Sequence, residues 1–509
     1  MQQSPNHRYL IYWWLGSLLA VPWMSPYTSG PTPNAWPWLI SAVCGILIWL
    51  FRRRLSFEFI ASAWVVAAAL SAVIGLLQYF GWAQALNPWV SQTMPGEAFA
   101  NLRQRNQFAT LTSIGLLALT GLLARKPPAR FLPWWMRCVA ILLALGNAAS
   151  SSRTGMLQWV LIVMLSAWWF LPGRRRLMAF VLQSVAAYAM AVVALPWVLN
   201  AVTGLGSGGL FGRLLEAPTC ASRKILWANV LTLIAQKPWL GWGWGELDYA
   251  HFITLYPGPR FCEILDNAHN LPLHLAVELG IPAALVICAV LAWVVWRARP
   301  WRETDPVRQM AWGVLALIML HSMLEYPLWY GPFQMALALC VGLLWTTPAA
   351  TAGADNPSGN DFMRSDKKKW LLPQYLQTLI ATVLIASLVA VGIDYHRVSQ
   401  IYLAPAERSA AYRDDTLNKV QGTWLFRQQA RFAELSVTAL KPENAVAMHA
   451  MAEELLHYSP EPRVVEKLIE SAVMLGRDDE ASLYLARYRA AFPEDHARWA
   501  KEGKELPAR

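Results

Sequence analysis

The sequence predicts an all-α, polytopic membrane protein with about eleven transmembrane helices, a large loop at residues 201–270 and a helical C-terminal domain. Three observations lead to this prediction. The chain of 509 residues is 56% hydrophobic and 15% charged. Apolar runs of the roughly 20 residues that a bilayer requires recur between residues 10 and 392. From about residue 394 the composition becomes that of an ordinary helical domain. We therefore expect a transmembrane domain at 1–393 and a second domain at 394–509.

The apolar runs give the predicted membrane helices in order. The first run is short, but its flanking aromatic residues and the lack of a small-residue cleavage site favour a membrane span over a signal peptide. The predicted spans cover residues 10–24, 36–51, 57–80, 107–124, 134–148, 154–172, 177–200, 271–296, 309–329, 331–348 and 370–393.

Basic residues cluster in every second connection between the predicted spans, which the positive-inside rule assigns to the cytoplasm. The N-terminus then lies inside, and both the 201–270 loop and the C-terminal domain lie on the non-cytoplasmic side of the membrane. Because the basic excess sits in short loops and not on one soluble face, nucleic acid is not an expected partner. The clusters are Arg8, Arg52–Arg54, Arg125 and Lys126 with Arg130, Arg174–Arg176, Arg297, Arg299, Arg302 and Arg308, and Arg364 with Lys367–Lys369.

The end of the C-terminal domain has the alternation of small and large residues that is typical of a tetratricopeptide-like helical hairpin. The pattern runs from Lys467 through Gly476 and Ala481 to Tyr488 and Pro493. Two interpretations stay open at this point. The domain is either a helical cap packed on the rest of the chain or a surface that docks another protein.

Three arginines in the predicted non-cytoplasmic segments adjoin the starts of helices. Arg105 precedes the fourth span, Arg153 opens the sixth, and Arg223 opens a helix within the 201–270 loop. Guanidinium groups bind phosphate oxygens bidentately, and helix N-termini add amide donors for an anion. Together they suit a pyrophosphate held at the membrane surface, although an arginine that flanks a span is also a common interface anchor.

Two histidine motifs carry further candidate chemistry. His269 lies in the run Asp266–Asn270 before the eighth span and is either a base or a helix cap. His321 and Glu325 are one helical turn apart and form either a proton-handling pair or a polar pair that closes a packing gap.

Two cysteines, Cys220 and Cys262, fall in the 201–270 loop. In an oxidising compartment they are expected to form a disulfide, the alternative being two separately buried thiols. We find no cysteine and histidine spacing that predicts a zinc site, and no metal or other cofactor is expected.

Taken together, these motifs resemble the O-antigen ligase and bacterial O-linked oligosaccharyltransferase superfamily, and within it the protein-glycosylating, pilin-type branch. The resemblance covers nearly the whole chain and implies a GT-C-like membrane fold. The residues that carry it are Arg103–Thr110, Ser151–Gly155, Asp266–Asn270 with Glu278–Gly280, and His321–Tyr330.

The resemblance implies an activity and roles for residues. The donor is expected to be an undecaprenyl-pyrophosphate-linked oligosaccharide, transferred en bloc to Ser/Thr hydroxyls of periplasmic proteins such as a type IV pilin. His269 is the expected catalytic residue, and Arg153 and Arg223 are expected to bind the pyrophosphate; Arg105 is added from its position. The expected supporting residues are Asn106, Asp266, Asn270, His321, Glu325 and Tyr326.

The expected reaction is a metal-independent single displacement that inverts the sugar. Two alternatives remain open. The acceptor is a glycolipid if the protein is an O-antigen ligase or glycan polymerase. A flippase for lipid-linked sugars is a less favoured alternative, because the predicted spans carry few of the ionisable residues that would line a path through the membrane.

Overall fold

A computed structural model describes residues 5–125, 133–170, 174–206, 208–215, 220–347 and 373–502. Within these ranges the regular structure is helical throughout. Several basic residues on which the predicted orientation rests lie outside the described residues, namely Lys126, Arg130, Arg364 and Lys367–Lys369.

The first part of the chain is a bundle of apolar helices. Among the described residues, six helical segments are long and apolar enough to cross a membrane, and shorter apolar helices accompany them. The chain is therefore an integral membrane protein, and the count of about eleven spans stays a prediction. The helices are α1 (Pro5–Met24), α2 (Trp36–Phe51), α3 (Phe57–Tyr79), α4 (Arg105–Arg125), α5 (Trp134–Ala149), α6 (Arg153–Phe170), α7 (Arg175–Thr203), α8 (Gly209–Leu215), α9 (Arg223–Gln236), α10 (Leu247–Ile253), α11 (Leu271–Leu279), α12 (Ile281–Ala298), α13 (Pro306–Ser322), α14 (Gly331–Thr346) and α15 (Gln374–Ser399).

Helix α4 is the centre of the bundle and packs against α3, α5, α6 and α13. Small residues let these helices approach closely, as is common where lipid removes the hydrophobic drive for helix association. A Cβ atom on Gly115 would lie 2.5 Å from that of Ala68 on α3, so a larger residue there would push the two helices apart. The amide of Asn147 on α5 donates to the Ala109 carbonyl of α4 over 2.9 Å and ties α5 to the same centre.

Loops that the sequence places on one side of the membrane contact one another at one end of the bundle, here called the basic end. Arg174 donates to the Ala124 carbonyl over 3.1 Å, and the Trp169 indole donates to the Pro300 carbonyl over 3.0 Å. Helices α4 and α6 each end there, and α13 begins nearby. Their other termini meet at the opposite end of the bundle, which holds the candidate site.

The predicted span at 271–296 is wrong as a single helix. Gly280, with a φ of +86°, separates α11 from α12. The backbone of the 241–245 turn binds the C-terminus of α11, with Trp242 N donating to Val277 O over 2.8 Å and Gly243 N to Glu278 O over 3.0 Å. A Cβ on Gly280 would lie 2.1 Å from the Trp239 carbonyl oxygen, so this crossing requires glycine. Helix α12 is the membrane-crossing candidate, and α11 belongs to the loop region.

The 201–270 loop is an ordered layer built on α9, α10 and α11. Cys220 and Cys262 form the predicted disulfide, with their Cα atoms 5.5 Å apart. The Trp227 indole of α9 donates to the Ala268 carbonyl over 3.1 Å. These links fix the start of α9 beside the turn that carries His269.

The C-terminal part is a set of packed helices that docks on this loop. Helix α15 continues past residue 393 to Ser399, and the Asp394 carboxylate accepts hydrogen bonds from the following segment at Thr423 and Leu425, over 2.9 and 3.0 Å. The tetratricopeptide-like repeat stays a prediction. The helices are α16 (Thr416–Val420), α17 (Arg427–Val437), α18 (Ala445–Leu456), α19 (Pro462–Met474), α20 (Asp478–Ala491) and α21 (Pro493–Lys501).

Contacts between the tail and the loop include both apolar and polar groups. Phe252 of α10 belongs to the buried core of the tail. The rings of Tyr249 and His457 stack with centroids 3.9 Å apart, and the Arg487 guanidinium donates to the Ile253 carbonyl over 2.9 Å. The tail therefore packs on α10 of the 201–270 loop, while its roles as a cap on the membrane domain or as a docking surface stay predictions.

Candidate functional site

His269 lies in a tight turn immediately before α11. Asn270 is the N-cap of α11, and its side-chain oxygen accepts from the Leu273 amide over 3.1 Å. The preceding Asn267 side chain accepts from the backbone N–H of His269 over 2.8 Å. The φ of His269 is +50°, a left-handed conformation that is uncommon for any residue other than glycine and is often found at functional sites. The neighbouring hydrogen bonds fix this backbone and so fix the position of the imidazole.

Glu325 follows the end of α13 and is the centre of the site. Its Oε2 lies 2.7 Å from Nδ1 of His269, and its Oε1 pairs with the Arg223 guanidinium. The Asn106 amide donates to the same Oε1 over 3.2 Å. The Glu325 side chain is 11% exposed, so one nearly buried carboxylate joins the starts of α4 and α9 to the turn before α11.

The charge state of Glu325 decides the tautomer of His269. Burial alone would raise the pKa of Glu325, but the hydrogen bond with His269 and the charges of His269 and Arg223 outweigh burial and hold the pKa below its usual range. The carboxylate is therefore ionised near neutral pH and can only accept. It follows that Nδ1 of His269 carries the proton that Glu325 accepts. This tautomer leaves the lone pair of Nε2 free whenever the ring is neutral.

A second set of hydrogen bonds connects the site to the membrane helices. The Ser152 hydroxyl donates to the Asn106 side-chain oxygen over 2.6 Å and accepts from the Gly155 amide over 2.9 Å. Ser152 therefore caps α6 and holds the Asn106 amide in the orientation that donates to Glu325.

The His321 side chain makes no hydrogen bond to the Glu325 carboxylate, and the two residues are joined only through the backbone, where Glu325 N–H donates to the His321 carbonyl over 2.8 Å. The His321 ring is buried within the bundle, with Nδ1 2.9 Å from the Thr110 hydroxyl, which also accepts from Gln158 over 2.8 Å. His321 therefore packs as a polar group between helices, and a role for it in handling a proton stays a prediction. Glu325 turns its carboxylate to His269 and Arg223 instead.

The three predicted arginines are placed differently. Arg223 joins the Glu325 cluster as the first residue of α9. Arg153 is exposed at the start of α6, next to Ser152, and makes no ion pair with any residue the structure describes. Arg105 pairs with Glu97 and not with the cluster. Asp266 is exposed on the turn before His269.

Tyr326 completes the site beside the histidine. Its ring packs edge-to-face on His269 with centroids 5.0 Å apart. Burial and the neighbouring Tyr330 raise the pKa of the Tyr326 hydroxyl, so it remains protonated and available as a donor. Sequence reasoning named Tyr326, Asn106 and Asn270 as supporting residues but missed Ser152, which donates to Asn106 and caps α6. A serine immediately before a helical run is an N-cap signal.

The fold and site define a polytopic helical membrane protein with a carboxylate-oriented histidine and an arginine at one end of its bundle. The chain matches three family models, and each model covers a different part of this site. Residues 98–123 match a model described as protein glycosylation ligase, residues 138–288 one described as O-antigen ligase, and residues 309–506 one described as virulence factor membrane-bound polymerase, C-terminal.

Two curated relatives, both from Acinetobacter baylyi, are similar to the chain. One is a general O-oligosaccharyltransferase, 25% identical over 295 residues, which cover 56% of this chain and 50% of the relative. The other is a ComP-specific O-oligosaccharyltransferase, 24% identical over 259 residues, covering 50% and 45%. The aligned part thus spans about half the length of each relative. These matches confirm the resemblance to the O-antigen ligase and O-oligosaccharyltransferase superfamily, and the named relatives support its protein-glycosylating branch.

Proposed function

We propose that this protein transfers an oligosaccharide en bloc from undecaprenyl pyrophosphate to Ser/Thr hydroxyls of periplasmic proteins such as a type IV pilin. The observation that carries the proposal is the His269–Glu325–Arg223 cluster, which combines a proton acceptor with an anion-binding group at one end of the bundle. We place this end at the periplasmic face of the inner membrane. The two relatives, each named as an O-oligosaccharyltransferase, support the same activity.

In the proposed mechanism, Glu325 holds Nδ1–H of His269 so that Nε2 accepts the proton of the acceptor hydroxyl. The hydroxyl oxygen forms a bond to the anomeric carbon while the bond from that carbon to the pyrophosphate oxygen breaks. The leaving pyrophosphate keeps the bonding electrons. A single displacement of this kind inverts the anomeric configuration.

Arginines neutralise the charge that develops on the leaving group. Arg223 uses part of its guanidinium fork on Glu325, and its remaining N–H groups can bind phosphate oxygens. Arg153 is exposed at the N-terminus of α6, where the helix dipole also favours an anion. Arg105 can contribute to the same group if the donor displaces Glu97 from it.

A second candidate function has a specific observation in its favour. The O-antigen ligase and membrane-bound polymerase models match large parts of the chain, so a glycolipid acceptor is the main alternative. A strain that lacks this gene separates the two functions. If the acceptor is a protein, the intact mass of the pilin falls by the mass of its glycan; if the acceptor is a glycolipid, the glycolipids lose theirs. Release of lipid-linked sugar from vesicles by the purified protein would instead indicate a flippase.

The decisive experiment is co-expression of the chain with a pilin and a lipid-linked glycan pathway, followed by intact mass of the pilin. We expect His269→Ala to abolish transfer while donor binding is retained, because the phosphate contacts remain. Arg223→Lys and Arg153→Lys keep the charge but lose the planar fork, so we expect donor affinity to fall about tenfold, which corresponds to about 1.4 kcal/mol. Near wild-type transfer by His269→Ala would remove His269 from the mechanism.

A further inference from the structure

A continuous series of aromatic rings leads away from His269. Tyr326 lies 5.0 Å from the His269 ring, and Trp329 lies 5.2 Å from Tyr326, measured between ring centroids. His274 lies 5.6 Å from Trp329, and Trp244 lies 6.3 Å from His274. We call the four rings beyond His269 the aromatic wall: Tyr326, Trp329, His274 and Trp244.

The two indoles of the aromatic wall are exposed, whereas His274 between them is buried. Tyr326 is partly buried, whereas the exposed fraction is 42% for Trp329 and 69% for Trp244. Trp244 is nevertheless held in place, because the adjacent Gly245 N–H donates to the Glu278 carboxylate over 3.1 Å and Gly243 N–H donates to the Glu278 carbonyl over 3.0 Å. Exposed indoles on a fixed backbone form a preorganised binding surface, since little conformational freedom is lost when a ligand contacts them.

The chemistry of this surface suits sugar rings. One face of a pyranose presents C–H groups of slight positive charge, which pack on the negative face of an indole or phenol ring, while the hydroxyl groups at the rim stay hydrated. His274 is a polar group behind the two indoles: it is 3% exposed, and its Nε2 lies 3.6 Å from the Glu278 carboxylate, which also holds the Gly245 amide. A surface of aromatic faces with a few polar groups is typical of a small-molecule subsite.

Resting on the proposed function, we propose that the aromatic wall binds the sugar residues of the donor oligosaccharide beyond the one that is transferred at its anomeric carbon. The position of the wall supports this occupant, because it begins in contact with His269, where the first sugar must lie for reaction. The glycan would then run from Tyr326 towards Trp244, and the enzyme would favour donors with several sugars. A belt of tryptophans that only anchors the loop in the lipid interface is the alternative that the test must separate.

The test compares two donors with three variants of the full-length protein. The donors are undecaprenyl pyrophosphate carrying one N-acetylhexosamine and the same lipid extended to a tetrasaccharide, and both binding and transfer to a pilin are measured. The variants are Trp329→Ala, Trp244→Ala and the matched control Trp239→Ala. Trp239 is 75% exposed on the same loop and makes no ring contact with the aromatic wall. It therefore serves as the control for the loss of an exposed indole from this loop outside the aromatic wall.

We expect Trp244→Ala to raise the KM and the Kd for the tetrasaccharide donor about tenfold and to leave those for the single-sugar donor unchanged. Trp329→Ala should have the same effect. Trp239→Ala should leave unchanged both the ratio of the KM values and the ratio of the Kd values for the two donors. Equal losses for both donors, or equal effects of all three variants, would overturn the proposal in favour of interface anchoring. If the wild-type protein bound both donors but glycosylated no pilin, the proposed function would fail, and the ratio of the two Kd values would still decide the role of the wall.

Discussion

At the scale of single residues, the site depends on one nearly buried carboxylate with three partners. Glu325 accepts from His269 and Asn106 and pairs with Arg223. A buried charge is stable only when such partners replace its lost hydration. Loss of any one partner would therefore also weaken the remaining contacts of Glu325. The same carboxylate fixes the imidazole tautomer and holds Arg223 at the start of α9.

We predict that Glu325→Gln lowers the rate of transfer about 100-fold or more, within the range that general acid–base catalysis contributes. A glutamine side chain can still accept a hydrogen bond, but it carries no charge to stabilise the imidazolium that forms when His269 takes a proton. The measurement is single-turnover transfer to a pilin, with donor binding as the control. Donor affinity should change far less than the rate, because the arginines keep their charge. A variant with an unchanged rate would contradict the assignment of Glu325 as the orienting group.

Part of this site was predictable from the sequence. His269 and Asn270 could be placed at a helix start, because the side chain of Asn270 caps the next turn. The contact between His269 and Glu325 joins residues 56 positions apart, and no local rule predicts it. The spacing of His321 and Glu325 suggested a shared helix face, but α13 ends at Ser322. Beyond a helix end, helical periodicity no longer determines where a side chain points.

At the scale of elements, the layer formed by α9, α10 and α11 links the membrane helices to the tail. The break between α11 and α12 was missed because the apolar pattern runs through it without interruption. Gly280 followed by Pro282 was the available signal, since glycine ends helices and proline favours the first turn of the next one. Within α12, Ala284 is the one buried residue, so this helix offers nearly its whole surface to lipid or to another chain.

The junction between α10 and the tail contains a carboxyl group that is sensitive to pH. Asp248 is 9% exposed. Burial, assisted by the nearby charges of Asp266 and Glu246, raises the pKa of Asp248 to about 7. Below about pH 4 this group is protonated in the folded and unfolded chains alike. Between about pH 4 and 7 the folded chain binds a proton that the unfolded chain has lost, so stability falls as the pH rises.

We therefore predict that Asp248→Asn is more stable than the wild type at pH 8, and that this difference shrinks steadily as the pH falls and vanishes near pH 4. The asparagine oxygen keeps the contact with the Tyr249 amide but has no charge to bury. The measurement is the difference in Tm between the variant and the wild type in detergent across this pH range. The matched control is Asp414→Asn, at an exposed position in the tail. The difference in Tm between this variant and the wild type should be the same at every pH. A difference for Asp248→Asn that stays constant from pH 5 to 8 would contradict the raised pKa.

At the scale of the whole molecule, the chain has two chemically distinct ends. The bundle helices α4 and α6 run from the candidate site to the basic end, and α13 runs back. The loop layer and the tail both lie on the site side of these helices, where Tyr249 of the loop stacks on His457 of the tail. The orientation of the bundle in the membrane therefore determines the side on which the site, the loop and the tail all lie.

We predict that this side is the periplasm. Arg52–Arg54 and Arg297 lie at helix ends on the basic side, and positive charge in short loops is retained in the cytoplasm. Truncations fused to alkaline phosphatase or to a fluorescent protein after Lys237, Arg302 and Pro442 test the orientation. The phosphatase should be active after Lys237 and Pro442 and inactive after Arg302, and the fluorescent protein should give the reverse pattern.

The pattern of results matters more than any single fusion. If Pro442 alone reported the cytoplasm, the tail could not pack on the loop as described, and an odd number of spans would have to separate them. If all three fusions reversed, the molecule would be inverted with its contacts intact, and His269 would face the cytoplasm. Periplasmic pilin could not then reach the site, so the proposed acceptor would be excluded even though the geometry around Glu325 remained the same.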